Sequence, residues 1–204
     1  MNALERKAQP LRWLPIILLL CLPATARAHA PIAGLGDFVN GIVHPLVTPS
    51  HLLILIGLGL LIGQHAPLQL KTPALIFGTL SAFALLLTTT AIIKTVYVPV
   101  LIAIALAAGI LVALGKKLPP SATWGLVAAA ALVIGFDSGV DSDSKATIAK
   151  SLIGTWLCLI VILCDVAIYA AFATKKEWLR VGLRVLGAWI IAVAVLVLAF
   201  SLRK

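Results

Sequence analysis

Charged residues are scarce in this sequence of 204 residues. They make up 11% of the chain and hydrophobic residues make up 62%, whereas soluble proteins have about 25% and about 45–50% of each. This composition excludes a disordered chain and a soluble coiled coil, which both need many charges. The net charge of +9 does not indicate nucleic-acid binding, because the basic residues stand singly or in pairs between long apolar runs. The composition predicts a membrane protein surrounded by the lipid bilayer.

Cysteine is also rare, and the sequence motifs of catalysis are missing. Of the three cysteines, Cys158 and Cys164 lie on one apolar run. They are about 120° apart around a helix, so they cannot pair with each other. A secreted fold held by disulfides is thereby excluded. The chain has no glycine-rich phosphate loop, no His-Glu-x-x-His motif and no Gly-x-Ser-x-Gly turn. We therefore expect a protein that is not an enzyme.

The first 28 residues have the pattern of a secretory signal peptide. Basic residues precede a short apolar stretch, and the sequence Ala-Arg-Ala at 26–28 matches a cleavage site. The apolar stretch is too short to span a hydrocarbon core of about 30 Å. We predict that cleavage leaves residues 29–204 as a single polytopic membrane domain, which begins with His29 outside the cytoplasm. An uncleaved membrane anchor is the alternative.

Long apolar runs then predict an all-α membrane protein with about six transmembrane helices. Five runs are long enough for a tilted helix, which needs about 17 to 25 residues: Pro73–Ile93, Val96–Gly115, Ser121 to about Val140, Ser151–Thr174 and Val185–Leu202. An earlier run, residues 32–63, is interrupted by Pro45 and Pro49. We therefore predict a broken first helix, with a half-helix from Gly34 to His44, a bend, and a helix from Ser50 to Gly63. Whether the half-helix re-enters the membrane or forms part of a span is left open.

Of the twelve basic residues that follow the predicted cleavage site, seven fall in the loops predicted to face the cytoplasm. These residues are Lys71, Lys116, Lys117, Lys175, Lys176, Arg180 and Arg184. Their excess follows the positive-inside rule and agrees with the topology that the signal peptide requires. We predict a multi-pass protein of the bacterial inner (plasma) membrane with both mature termini outside the cytoplasm.

A few polar residues lie within the predicted spans, where ionisable groups are costly and mark ion pathways. Asp37, Asn40 and His44 share one face of the half-helix because of their spacing, and His51 follows the bend. Neutral imidazoles and a carboxylate suit a divalent cation such as nickel, cobalt, zinc or copper. The alternative is that these side chains cap the broken helix and tie its parts together.

Three carboxylates and one histidine complete the candidate metal ligands. Asp137 and Asp141 share a face if the helix continues past Phe136, and like charges at that spacing repel unless a cation or a proton lies between them. A solvated outer loop is the alternative. Asp165 stands among apolar residues and either binds an ion or pairs with a polar group. His29 can chelate a divalent ion through its amine and its ring.

The segment His-Pro-Leu-Val-Thr-Pro-Ser-His-Leu-Leu at 44–53 resembles the first motif of the HupE/UreJ family of hydrogenase and urease accessory membrane proteins. The resemblance extends from Ala28 to Leu202. It implies a cleaved signal, about six spans and a secondary permease for nickel or cobalt. It also implies that His44 and His51 are metal ligands, with Ser50 standing where the family usually has Asp.

Two later motifs of that family contain different residues here. Asp137-Ser138-Gly139-Val140-Asp141-Ser142 takes the place of a His-Gly-x-x-His-Gly-x-Glu-like stretch, and Cys164-Asp165 takes the place of a Leu-His pair. Three histidines of the family are then aspartates, and oxygen ligands favour harder cations than imidazoles do. The resemblance therefore implies a divergent branch.

Three hypotheses follow. The first is a permease whose substrate is a divalent metal ion, nickel or cobalt or another, with no organic cofactor. It would supply metal for metalloenzyme maturation, with maturation proteins as partners. The segment from Asp137 to Ser142 would collect the cation. His44, His51 and Asp165 would then pass it near the midplane of the membrane. The second is a non-transporting accessory protein that binds metal or a partner protein on the outer face. The third treats the polar residues as contacts between helices.

Overall fold

The computed structural model describes residues 32, 34–65, 67–90, 96, 98–116 and 118–202. Within these residues the chain forms seven helices and no strand. The helices are α1 (Asp37–Val47), α2 (Pro49–Gly63), α3 (Lys71–Thr88), α4 (Val98–Leu114), α5 (Pro120–Asp137), α6 (Lys145–Ala173) and α7 (Glu177–Leu202). The predicted signal peptide and His29 lie outside the described residues.

Four of these helices are long and apolar enough to cross a membrane by length and composition. They are α3, α5, α6 and α7, with 18, 18, 29 and 26 residues, and the pair α1–α2 is a fifth candidate if the bent pair forms one span. Helix α4 is apolar and has 17 residues. The predicted all-helical membrane architecture is confirmed, while the number of six spans stays a prediction.

The chain bends at Thr48 between α1 and α2, which lie at 73° to each other and form either a broken span or a re-entrant loop. The backbone of Thr48 is extended, with φ −98° and ψ 102°. Pro49 opens α2 at a position where its missing N–H costs no helical hydrogen bond. The predicted bend is therefore found, but α1 continues through Pro45 to Val47 and does not end at His44.

Pro45 is tolerated inside α1 because a neighbouring helix replaces the hydrogen bond that it removes. Proline has no N–H to donate to the carbonyl oxygen four residues earlier, which here belongs to Gly41. The Thr155 hydroxyl of α6 donates to this oxygen at 3.0 Å, and the contact is buried. Helix-breaking residues persist in membrane proteins where adjacent helices satisfy the freed backbone groups in this way.

Small residues bring α1 very close to α6. A Cβ atom added to Gly41 would collide with the backbone of Ser151, and one added to Gly154 would collide with the carbonyl oxygen of Phe38. The Ser151 hydroxyl also donates to the carbonyl oxygen of Asp37 at 3.0 Å. Small residues at helix interfaces are the usual means of close packing in membranes, and here they hold α1 against α6.

Helix α2 lies at the centre of the bundle. Eleven of its 15 residues are buried, and it packs against α4, α6 and α7. Gly59 and Gly63 lie one turn apart and face α6, where an added Cβ atom would meet Val166 and the backbone of Ala167, respectively. The later glycine of α2 meets the later residue of α6, so α2 and α6 run in the same direction.

Candidate metal site

His51 and Asp137 form a hydrogen-bonded pair in the interior of the bundle. The distance between His51 Nε2 and Asp137 Oδ2 is 2.9 Å, and the two side chains are 0% and 11% exposed. The residues are 86 positions apart in the sequence. The pair joins the first turn of α2 to the last residue of α5, so it forms only when the two helix ends meet.

The end of α5 is set by Ser138, which terminates the helix directly after Asp137. The Ser138 N–H donates to the carbonyl oxygen of Gly135 at 3.3 Å, and its hydroxyl donates to that of Ile134 at 2.7 Å. These bonds satisfy carbonyl groups that a helix end leaves open. A carboxylate at this end is disfavoured by the helix dipole, and the hydrogen bond between Asp137 and His51 offsets that cost.

The contact with Asp137 determines which nitrogen of His51 is available to a ligand. An ionised carboxylate only accepts hydrogen bonds, so His51 Nε2 is the donor. Nδ1 of His51 is buried and has no hydrogen-bond partner among the described residues. A proton on Nδ1 would therefore be a buried donor without an acceptor, at a cost of about 1–3 kcal/mol. The favoured tautomer therefore has a buried lone pair on Nδ1, without a hydrogen-bond partner among the described residues.

His44 lies next to His51 across the bend. The centroids of the two rings are 5.4 Å apart, with the ring planes at 73°, and His44 is half-buried. Two imidazoles on one tetrahedral ion have centroids roughly 5 Å apart, because each metal–nitrogen bond is about 2.0–2.1 Å. The two histidines therefore approach each other as the sequence indicated, at a spacing that suits a shared divalent cation.

The site offers fewer protein ligands than a closed metal site. No group of three or more His, Cys, Asp or Glu side chains is arranged to hold a metal ion within the described part of the chain. Because Asp137 bonds to His51, its carboxylate orients the imidazole, as carboxylates do behind metal-bound histidines. A cation held by the two rings would keep open positions, as ions do in sites that exchange their ligands.

The other polar residues of α1 serve the structure of the helix itself. Asn40 holds the chain before α1: its Oδ1 accepts from the Ile32 N–H at 2.9 Å, and its Nδ2 donates to the carbonyl oxygen of Leu35 at 3.0 Å. Asp37 is half-buried in the first turn, where the helix dipole favours a negative charge. No contact among the described residues joins the Asp37 carboxylate to His51, and its role as a ligand stays a prediction.

Asp141 does not share a helical face with Asp137, and this expectation was wrong. Helix α5 ends at Asp137, and Asp141 lies exposed in the loop before α6. Two carboxylates four residues apart repel each other on a helix, and termination at Ser138 avoids that arrangement. The alternative, a solvated loop, describes the position of Asp141.

Asp165 lies on the outer surface of the bundle. It is exposed, and the exposed side chains of Val161 and Tyr169 lie one turn before and after it on the same face of α6. Within the described residues, no hydrogen bond or ion pair joins its carboxylate to the His51–Asp137 pair. Its role as a ligand stays a prediction without support from its position.

Sequence reasoning missed the hydroxyl groups that hold α1 in place and the direct pairing of His51 with Asp137. Ser151 and Thr155 are four residues apart and flank Gly154, so they form a small polar stripe on an otherwise apolar helix. This spacing was a usable signal for a close helix contact. The pairing of His51 with Asp137 had no comparable local signal.

The fold and the site together define a class: a helical membrane protein whose broken first span presents two histidines, one of them oriented by a carboxylate from another helix. The family model described as HupE / UreJ protein matches residues 17–197. The chain belongs to this family, which indicates an accessory membrane protein of the hydrogenase and urease type, related to nickel or cobalt. No curated protein matches the chain, and no solved structure matches it either.

Proposed function

We propose that the protein is a permease for a divalent metal ion of the nickel or cobalt type. The observation that carries the proposal is the open Nδ1 of the buried His51, held in position by Asp137 and lying beside the His44 ring. Imidazole nitrogen suits nickel and cobalt better than it suits magnesium or calcium. The ion is the substrate of the protein and not a resident cofactor.

The broken first span supports transport rather than storage. Discontinuous helices at an ion site are a recurrent feature of transporters, and here the break at Thr48 separates the two histidines. A site with two imidazoles and open coordination positions binds an ion less tightly than a closed site of four protein ligands. A transported ion must also be released, so an incomplete ligand set fits this function.

Charge supports an entry from the end of the bundle that contains the pair. Among the described residues at this end, Asp37, Asp141 and Asp143 outnumber Lys145 and Lys150, and an excess of negative charge raises the local concentration of cations. We propose that this end faces outward in the bacterial inner membrane, with both mature termini outside the cytoplasm. His29 stays a predicted ligand outside the described residues, and metalloenzyme maturation proteins would receive the ion inside.

One observation favours a second candidate function, a non-transporting accessory protein that binds metal on the outer face. Beyond His51, every residue of α2 from Ile54 to Gly63 is either glycine or has an apolar side chain. This central helix therefore supplies no polar side chain for an ion on the way to the other end. A permease must then pass the ion by a rearrangement of helices around the site.

Uptake into proteoliposomes separates the two functions. We expect the full-length protein to accumulate nickel or cobalt, and His51→Ala and His44→Ala to abolish accumulation. His65→Ala is the matched control, because His65 lies in the loop after α2 and bonds to the carbonyl oxygen of Lys116. Wild-type uptake by His51→Ala would refute the site. Metal binding without accumulation by the wild type would establish the accessory function.

A further inference from the structure

A polar cavity lies at the opposite end of the bundle from the His51–Asp137 pair. It has a volume of about 350 Å³ and opens where α2, α4 and α6 end and α7 begins. Its polar lining comes from Gln64, His65, Thr174, Arg180 and Arg184. Cavities that take small ligands begin at about 300 Å³, so the volume admits a small anion or a lipid headgroup.

The lining of this cavity is rich in donors and cations and contains no carboxylate. The Arg180 guanidinium donates through Nη2 to the carbonyl oxygen of Thr174 at 3.1 Å, and that of Arg184 through Nε to the carbonyl oxygen of Ala113 at 2.9 Å. A guanidinium has five N–H donors, so each side chain has donors left over. Neither arginine forms an ion pair with a carboxylate in the part of the chain that the structure describes.

Gln64 supplies an independent indication of a ligand. Its side-chain Nε2 is buried and has no hydrogen-bond partner among the described residues. An unsatisfied buried amide is costly, and an acceptor in the cavity would remove that cost. The missing partner is therefore an acceptor, and the neighbouring guanidinium groups favour one with a negative charge.

We propose that this cavity binds a phosphate group through Arg180, Arg184 and the Gln64 amide. Arginine matches phosphate oxygens with two parallel hydrogen bonds. Basic pockets between transmembrane helices at a membrane surface hold anionic headgroups, and the same donors would hold inorganic phosphate. The shared chemistry is a phosphate oxyanion, and the source is either a lipid or a soluble ion. This site is independent of the metal site and of the proposed transport.

The test uses the full-length protein, and its two arms separate the sources. In the first arm, native mass spectrometry measures the retention of phosphatidylglycerol by the detergent-solubilised protein. In the second, thermal unfolding in nanodiscs of phosphatidylcholine is followed while inorganic phosphate is added. We expect Arg180→Gln to lower the affinity for the phosphate group roughly tenfold or more, because hydrogen bonds between charged groups are stronger than those between neutral groups. Lys176→Gln, which removes the same charge nearby outside the cavity, should leave binding unchanged.

Gln64→Glu tests the site without altering either arginine. A carboxylate at this position would compete for the guanidinium groups and repel phosphate, so binding should be lost while the protein stays folded. If Gln64→Glu loses only the retention of phosphatidylglycerol, the cavity is a lipid site. If it loses only the thermal stabilisation by inorganic phosphate, the cavity is a site for the free ion. The proposal is overturned if the wild type shows neither effect, or if Arg180→Gln and Lys176→Gln weaken binding equally.

Discussion

Thr155 donates its hydroxyl to the carbonyl oxygen of Gly41, the acceptor that Pro45 leaves without a backbone donor in α1. A bond that would normally lie within one helix is thus made between two helices. Helix α1 is complete only when α6 lies beside it, and His44 near its end is positioned by the same contact. The stability of this helix pair and the geometry of the candidate metal site are therefore linked.

Removal of the Thr155 hydroxyl should destabilise the protein measurably. Hydrogen bonds between membrane helices contribute on average about 0.6 kcal/mol and at most about 1.7 kcal/mol. We expect Thr155→Val to fall near the upper value, because the Gly41 carbonyl then has no other donor. Reversible unfolding in detergent micelles measures the difference, and Thr155→Ser, which keeps the hydroxyl, should resemble the wild type. Equal stability of Thr155→Val and the wild type would contradict the link.

Gly154→Ala should separate α1 from α6. The added methyl group would collide with the carbonyl oxygen of Phe38, which is backbone and cannot rotate away. Overpacking of this kind costs about 1–3 kcal/mol, and displacement of α1 should also weaken nickel binding at His44. The matched control is Gly125→Ala in α5, where an added Cβ atom meets nothing within 4 Å. If both variants keep full stability and nickel affinity, the close contact is not needed.

Asp137→Asn should weaken metal binding without changing the ligands. Loss of a carboxylate behind a metal-bound histidine lowers affinity by about 10–100-fold, since the amide orients the His51 ring less strictly. Asp143→Asn serves as the control, because Asp143 is exposed in the loop that follows α5. Equilibrium nickel binding to the purified protein measures both. A decrease of the same size in Asp143→Asn would mean that only the overall charge of this end matters.

Asp165→Asn tests whether the exposed carboxylate of α6 takes part in transport. Because Asp165 faces away from the bundle interior, we expect nickel uptake into proteoliposomes to stay close to that of the wild type. His51→Ala in the same assay provides the inactive reference. Full loss of uptake in Asp165→Asn, with nickel binding at His44 and His51 retained, would instead establish the relay role that the sequence suggested.

The sequence was sufficient for features that depend on local pattern. Long apolar runs predicted membrane helices, and Pro49 predicted the break in the first one. The approach of His44 to His51 followed from the short connection between them, because residues on both sides of a tight bend cannot be far apart.

Features that depend on packing between distant segments were not predictable in this way. The partner of His51 comes from another helix end, 86 residues along the chain. The separation of Asp137 from Asp141 depended on where Ser138 terminates α5. The outward position of Asp165 was hidden because the residues around it in α6 are apolar on all sides, so this part of the sequence does not show which face meets lipid and which meets protein.

A single residue, Thr48, connects the two helices that carry the histidines. One residue added or removed at this extended position would change both the direction and the rotation of α1 relative to α2. Either His44 would point away from His51, or Gly41 would leave the surface of α6. The length of this connection is therefore under strict constraint. Thr48 is also buried, and its hydroxyl donates to the carbonyl oxygen of His44 at 2.8 Å, so Thr48→Ser should be tolerated where larger side chains, insertions and deletions are not.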